Sequence, residues 1–158
     1  MENEFAMNAN TVVAYLQKPS ESFTKADIIS FIKAKEIKMV NFMYPAGDGR
    51  LKTLNFVITD EAYLDAILTC GERVDGSSLF SFIGASSSDL YVIPRYRTAF
   101  VDPFAELPTL TMLCSFFDKD GNPLESAPEH TLHKASEAFT KTTGMTFEAM
   151  GELEYYVI

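Results

Sequence analysis

The sequence predicts an α+β fold in which helices pack on one face of a small mixed sheet. Apolar residues switch between helical and strand spacing in the order helix, hairpin, helix, strand, strand, helix, strand. The chain has 158 residues, of which 47% are hydrophobic and 22% charged. This length and composition predict a packed core, exclude wholesale disorder, and allow one domain or a small domain with part of another.

The first helix is predicted over 24–35, followed by a β-hairpin. Thr24 and Asp27 have the spacing of a capping box, and isoleucines follow at helical spacing. Strands are expected at 37–44 and 51–58 because apolar β-forming residues flank a turn cluster of Pro, Gly and Asp.

A second helix is predicted over 60–69, with Thr59 as its cap and Gly71 as its stop. Residues 72–88 have the composition of a loop. Strands are expected at 90–94 and 109–117.

The remaining elements are a third helix over 128–142 and a final strand over 145–158. Pro128 suits the first turn of this helix, and Gly144 its end. In the final strand, Leu153 is expected to face a core. The helix side chains expected to face inward are Leu132, Ala135 and Phe139.

The charge balance narrows the function classes. The formal net charge is −9. Nucleic acid and anionic membrane are poor partners for such a chain because phosphate attraction is missing, whereas a cationic ligand or a divalent metal suits its charge better. No apolar run is long enough to span a membrane and the first residues lack a signal-peptide pattern, so we expect a cytoplasmic protein. Cys70 and Cys114 are expected to be buried, reduced thiols rather than a disulfide or metal site.

Two short patterns carry candidate chemistry. Asp75-Gly76-Ser77-Ser78 is a turn whose carboxylate can hold a cation or accept its proton. Glu152-Leu153-Glu154 would place two carboxylates on one strand face about 6.6–6.8 Å apart, a ligand type that hard divalent cations prefer. Considered alone, an ordinary turn and a solvated strand face are the favoured interpretations. His130 and His133 are interpreted as surface histidines rather than half of a metal site.

Several motifs share an order along the chain. They are the Gly47-Asp48-Gly49 turn, Val74–Ser78, Ser88-Asp89-Leu90, Pro94 with Thr98, the strand holding Cys114, Asp120-Gly121 with Pro123, Pro128, and Gly151–Tyr156. In this order and spacing they resemble the N-terminal part of glutamine synthetase, over 39–156. The family's corresponding motifs include Phe-Asp-Gly-Ser-Ser, Ser-Asp-Met and Gly-x-Glu-x-Glu-Phe-Phe.

The resemblance implies an N-terminal extension over 1–19 and a β-grasp domain over 20–105. It implies that 106–158 begin an α/β catalytic domain that is incomplete here. In the family, ATP phosphorylates the side-chain carboxylate of glutamate and ammonia displaces the phosphate. The chain alone is therefore expected to be inactive, as an N-terminal fragment of an ATP-dependent glutamate–ammonia ligase.

The resemblance also implies roles for particular residues. Asp75 would bind ammonium and help remove its proton, with Ser78 beside it and Asp89 as the second acid of that region. Glu152 and Glu154 would bind two divalent metals, Mg²⁺ or Mn²⁺. The turn at Asp75 would reach the active site of a neighbouring subunit in a ring-shaped homo-oligomer.

Three positions depart from the family pattern. Val74 replaces a Phe, Arg95 stands where Asp is common, and Glu129 stands where Arg is common. These changes leave open a branch that joins glutamate to another amine. A free-standing β-grasp binding or regulatory module without catalysis is the alternative from a different class.

Overall fold

A computed structural model describes residues 5–84 and 88–158. Residues 85–87 of the expected loop and 1–4 of the expected N-terminal extension lie outside the described residues. The helices are α1 Thr11–Leu16, α2 Lys25–Ala34, α3 Glu61–Cys70, α4 Gly76–Leu79 and α5 Pro128–Thr143. The strands are β1 Met39–Pro45, β2 Leu51–Val57, β3 Glu72–Asp75, β4 Asp89–Pro94, β5 Phe100–Val101 and β6 Thr109–Phe117. Short 3₁₀ turns lie at Ser20–Ser22 and Tyr96–Thr98.

The strands form one curled mixed sheet in the order β2-β1-β6-β4-β3, with β5 added beside β6. β6 lies at the centre, parallel to β1 and antiparallel to β4. It carries fully buried Leu110, Met112 and Phe116, because a central strand with covered faces needs apolar side chains. The mixed α+β class and the β-grasp type of sheet expected from the sequence are confirmed.

Helices α2 and α3 cover the sheet. Ile28 and Phe31 of α2 and Leu64 and Leu68 of α3 are almost entirely shielded from solvent. They pack in one cluster with Phe42 of β1 and the buried side chains of β6. This single core fixes β4 and β6 under the helices, and thereby fixes the strand ends that carry the candidate site.

Several local predictions are confirmed. Thr24 and Asp27 form the predicted capping box, in which Thr24 Oγ1 accepts from the Asp27 N–H and the Asp27 carboxylate accepts from the Thr24 N–H. The hairpin, the 109–117 strand and the Pro128 start of α5 also form where expected. Each of these depends on interactions between residues close in sequence.

Three other predictions are wrong. Asp60, not Thr59, caps α3, because its Oδ1 accepts from the Tyr63 N–H at 2.8 Å. The stretch 72–88 is not all loop, because β3 pairs with β4. The backbone hydrogen bonds of this pairing are not indicated by the short sequence of β3. Cys70 is exposed at the end of α3, whereas Cys114 is buried; both thiols are free.

The C-terminal part also departs from expectation. The three α5 side chains predicted to face inward are exposed, because only the first turns of this helix adjoin the sheet. These three side chains belong to Leu132, Ala135 and Phe139. Residues 145–158 form no strand and make no strand pairing with the other described residues, and Leu153 is 87% exposed. A strand needs a neighbour for its backbone groups, and the described chain places none beside this segment.

Among residues 5–84 and 88–158, no helix has the length and apolar character needed to cross a membrane.

Candidate active site

Two acidic side chains meet where β3 and β4 pair. Asp75 ends β3 and Asp89 begins β4, and the antiparallel register sets them directly opposite each other. A short backbone bond of 2.6 Å from the Gly76 N–H to the Ser88 carbonyl closes this end of the ladder. The structure therefore brings together two residues that stand fourteen positions apart in the sequence.

Asp75 is held in place by Ser77. Its Oδ1 accepts from the Ser77 N–H at 3.0 Å and from the Ser77 hydroxyl at 2.7 Å, and it thereby caps the short helix α4. These bonds favour the charged form, with the Ser77 hydroxyl foremost, and they hold the pKa of Asp75 below its usual value. Asp75 is exposed, so an ionised carboxylate faces solvent at neutral pH.

Ser78 contacts the backbone of the same turn. Its hydroxyl donates to the Asp75 backbone carbonyl at 2.8 Å. Ser77 rather than Ser78 therefore makes the close contacts with the carboxylate. An Asp followed two positions later by Ser is typical of a side-chain-capped turn, and this signal identifies Ser77 from the sequence.

Asp89 has a basic partner. Its Oδ1 lies 2.8 Å from Arg73 Nη1, and both side chains are exposed. Like charges directly opposite each other on a sheet repel, so the guanidinium offsets the repulsion between Asp75 and Asp89. Such an exposed ion pair contributes only about 0–1 kcal/mol to stability.

Two glycines permit the close packing around this turn. A Cβ on Gly76 would lie 2.7 Å from Leu90 Cδ1, and one on Gly47 would lie 2.9 Å from the Leu79 carbonyl oxygen. The Gly47 N–H donates to that same oxygen at 2.9 Å. The hairpin turn thus fixes the last residue of α4 while Asp75 fixes its start, a contact between distant segments that the sequence does not indicate.

The structure does not bring Glu152 and Glu154 to this edge. Both are exposed in the 145–158 segment. Among the described residues, no hydrogen bond or ion pair joins either glutamate to Asp75 or Asp89. Within residues 5–84 and 88–158, no three His, Cys, Asp or Glu side chains come together in a group that could hold a metal ion. The carboxylate oxygens of Glu152 and Glu154 suit Mg²⁺ or Mn²⁺ chemically, but two ligands do not make a complete metal site.

The two histidines have unequal environments. His133 is exposed, as the surface interpretation predicts, whereas the side chain of His130 is only 18% exposed. His130 Nε2 lies 3.4 Å from Glu125, and His133 Nε2 lies 3.3 Å from Glu137.

Comparison with known proteins identifies the family. The glutamine synthetase β-grasp domain family matches over residues 36–119, more than half of the chain. The matched span runs from the hairpin through the Asp75 turn to the end of β6. The chain belongs to the glutamine synthetase β-grasp domain family.

Curated relatives include proteins with different names. A 3-hydroxylaminophenol mutase from Cupriavidus pinatubonensis is 31% identical over 76% of this chain and 25% of its own length. The glutamine synthetase of Methylococcus capsulatus is 28% identical over 85% of this chain and 29% of its own length. The chain thus spans between a quarter and a third of the length of these relatives.

Solved structures share the fold. The Plasmodium falciparum glutamine synthetase superposes with a TM-score of 0.66 at 21% identity, covering 80% of this chain and 24% of that one. The apo structure of GmaS gives 0.65 at 14% identity, covering 74% of this chain and 27% of that one.

Proposed function

We propose that this chain is the N-terminal part of an ATP-dependent glutamate–ammonia ligase in which Asp75 receives the ammonium ion. The observation that carries the proposal is the ionised Asp75 carboxylate, fixed by Ser77 at an exposed sheet edge. Family membership supports the reaction type.

The chemistry explains why a carboxylate is needed there. Ammonium is not a nucleophile, because its nitrogen lone pair is bound to a proton. An adjacent carboxylate attracts the cation and then accepts that proton, which frees the lone pair for attack on an activated γ-carboxyl group. Asp89, opposite Asp75, would add negative potential, and Ser78 would keep the turn closed through the Asp75 carbonyl.

Metal ligation is the second part of the proposal. We propose that Glu152 and Glu154 each contribute carboxylate oxygens to Mg²⁺ or Mn²⁺, with further ligands from outside the described residues. When bound, the metals would stabilise the charge that develops during phosphoryl transfer from ATP. The 145–158 segment would then gain order from partners that the described chain does not contain.

The assembly is proposed on the same basis. The Asp75 turn lies at the β3 edge of the sheet and is exposed, which supports a site completed by a neighbouring subunit of a ring-shaped homo-oligomer. We also propose a cytoplasmic location, in keeping with the acidic composition.

The domain limits are likewise a proposal. We retain an extension over 1–19 and a β-grasp domain that begins near residue 20. Because β6 pairs with both β1 and β4, we propose that this domain continues through Phe117 and that the catalytic domain begins after it.

The identity of the amine substrate is a separate question within the proposal. Similarity to GmaS as well as to glutamine synthetase in fold, together with the changed Arg95 and Glu129, supports a glutamate–amine ligase with another amine as the second candidate. Initial rates with ammonia and with methylamine, measured on the whole protein, separate the two. A tenfold or larger preference in kcat/KM for methylamine would replace ammonia in the proposal, since that factor corresponds to about 1.4 kcal/mol.

The role of Asp75 is tested in the whole protein with Asp75→Asn. We expect a loss of amine-dependent turnover of about 10²-fold or more, with much less effect on glutamate-dependent formation of ADP. Asp120→Asn is the matched control because Asp120 is an exposed surface carboxylate paired with Lys119. Equal amine-dependent rates for Asp75→Asn and the parent would reject the assignment.

The metal assignment is tested with Glu152→Ala against Glu148→Ala, an exposed glutamate of the same segment. We expect the Mg²⁺ or Mn²⁺ concentration for half-maximal activity to rise in the first variant only. Identical metal titrations would remove Glu152 from the site.

A regulatory module remains the alternative from another class. The reading frame beyond Ile158 discriminates it: an in-frame continuation with further Glu, His and Arg motifs supports the ligase, and a stop codon supports the module. We propose that residues 1–158 alone are inactive, and ligase activity of that isolated chain would contradict this.

A further inference from the structure

A cavity of about 330 Å³ lies between the end of β6, the 3₁₀ turn Tyr96–Thr98 and the first turns of α5. Its charged and titratable lining consists of Arg95, Arg97, Glu129, His130 and His133. None of these residues belongs to the Asp75 turn or to the Glu152-Leu153-Glu154 segment.

The lining is unusual for so acidic a chain. The sequence has a net charge of −9, with four arginines and two histidines in all. Half of the arginines and both histidines line this one cavity. Basic side chains gathered in a concave site favour an anionic ligand.

The guanidinium groups of the two arginines lack bonding partners among the described residues. No hydrogen bond or ion pair joins the guanidinium of Arg95 or Arg97 to another described residue, and Arg95 Nε is buried without a partner. Burial lowers the pKa of Arg95 and the nearby positive charge of Arg97 adds to this, while Glu129 acts in the opposite direction. An anion between the two guanidinium groups would relieve their repulsion.

The acidic groups around the cavity are only partial counterions. Glu129 uses Oε1 to accept from the Phe116 N–H at 2.8 Å, and its buried Oε2 has no partner. Outside the cavity, Glu125 lies beside His130 and Glu137 lies beside His133. Within the lining, two guanidinium groups face the single carboxylate of Glu129.

Helix α5 adds donors at the same place. It has 16 residues and starts at Pro128, and Ala127 provides no side-chain cap. Glu129 and His130 of the cavity lining lie in this first turn, whose backbone N–H groups carry partial positive charge.

We propose that this cavity binds a phosphate group. Two guanidinium groups, two imidazoles and an uncapped helix start offer more donors than the two oxygens of a carboxylate can accept, whereas phosphate has three or four oxygens. The aromatic wall at Phe116 and Phe117 would adjoin the organic part of a phosphomonoester.

The test uses the 158-residue chain at constant ionic strength. Inorganic phosphate is titrated while the NMR signals of the two histidines and the arginine side chains are followed. We expect saturable shifts at these residues, and the affinity should weaken about tenfold or more in Arg95→Gln and in Arg97→Gln, because each variant loses charge-assisted hydrogen bonds to phosphate. Arg50→Gln, on the exposed hairpin turn, should bind like the parent.

Arg97 is exposed, so Arg97→Gln tests the site without disturbing the half-buried Arg95. A parallel titration with phenyl phosphate distinguishes the sources of the group: tighter binding of the ester identifies a phosphomonoester ligand, and tighter binding of inorganic phosphate identifies free phosphate. Absence of saturable shifts, or equal affinity of Arg97→Gln and the parent, would overturn the site.

Discussion

Asp75 and Asp89 lie directly opposite each other across β3 and β4, yet their charges are stabilised by different means. Ser77 donates two hydrogen bonds to Asp75, whereas Arg73 forms an ion pair with Asp89. Neutral donors leave the negative charge of Asp75 uncancelled. This difference supports the proposal that Asp75 receives the cation and that Asp89 adds negative potential beside it.

The Ser77 contacts predict how Asp75 titrates. Ser77→Ala should raise the pKa of Asp75, because the hydroxyl bond is the foremost cause of its lowered value. Ser78→Ala is the control and should change it less. The measurement is an NMR titration of the Asp75 carboxyl carbon, and equal shifts in the two variants would contradict the contact pattern.

The same lowered pKa has a consequence for folding. Since the folded-state pKa lies below the unfolded value, the stabilisation from Asp75 is fully present above the unfolded value. It is lost as the pH falls through the folded value. The acid side of the stability curve should therefore be less steep in Ser77→Ala than in the parent.

The hairpin turn should support the Asp75 turn through Gly47. Gly47→Ala places a methyl group 2.9 Å from the Leu79 carbonyl oxygen, and we expect the free energy of unfolding to fall. The loss should be about 1–3 kcal/mol, as for other overpacked sites. Gly84→Ala is the matched control, since its Cβ would meet nothing within 4 Å. Urea denaturation measures the free energy of unfolding of both variants. Equal values would show that the hairpin turn accommodates the methyl group and would contradict the prediction.

The start of α3 separates two adjacent candidate caps. Asp60→Ala should cost about 1 kcal/mol of stability, because it removes the acceptor for the Tyr63 N–H. Thr59→Ala should cost less, since Thr59 contacts only the Asp60 carboxylate near this helix start. Thermal unfolding of both variants tests this, and a larger loss for Thr59→Ala would restore the cap predicted from the sequence.

The two thiols should differ sharply in reactivity. Burial raises the pKa of Cys114 to about 12, so almost no thiolate exists there at neutral pH. Cys70 is exposed at the end of α3. A thiol reagent should label one cysteine in the native protein and both in urea. In Cys70→Ser, native labelling should disappear; persistent labelling would mean that Cys114 is accessible.

Elements with short-range causes were predictable. The capping box of α2, the hairpin and the Pro128 start of α5 each depend on residues within a few positions of one another. Strand β3 was not predictable from the sequence, because its four residues have little apolar character and become a strand only when β4 lies beside them. The 145–158 strand failed for the converse reason, since alternating side chains cannot supply a pairing partner.

The sequence by itself determined the capping box of α2, the central strand and the motif order that indicates the family, because these reside in local spacing. It also named Asp75, Asp89 and the paired glutamates as candidates. Only the tertiary structure decided that Asp75 faces Asp89 and that the Gly47 turn packs on the Leu79 carbonyl. It also decided that Arg95 and Glu129 line one cavity. Those relationships depend on strand register and helix placement, which the common core sets between segments far apart in the chain.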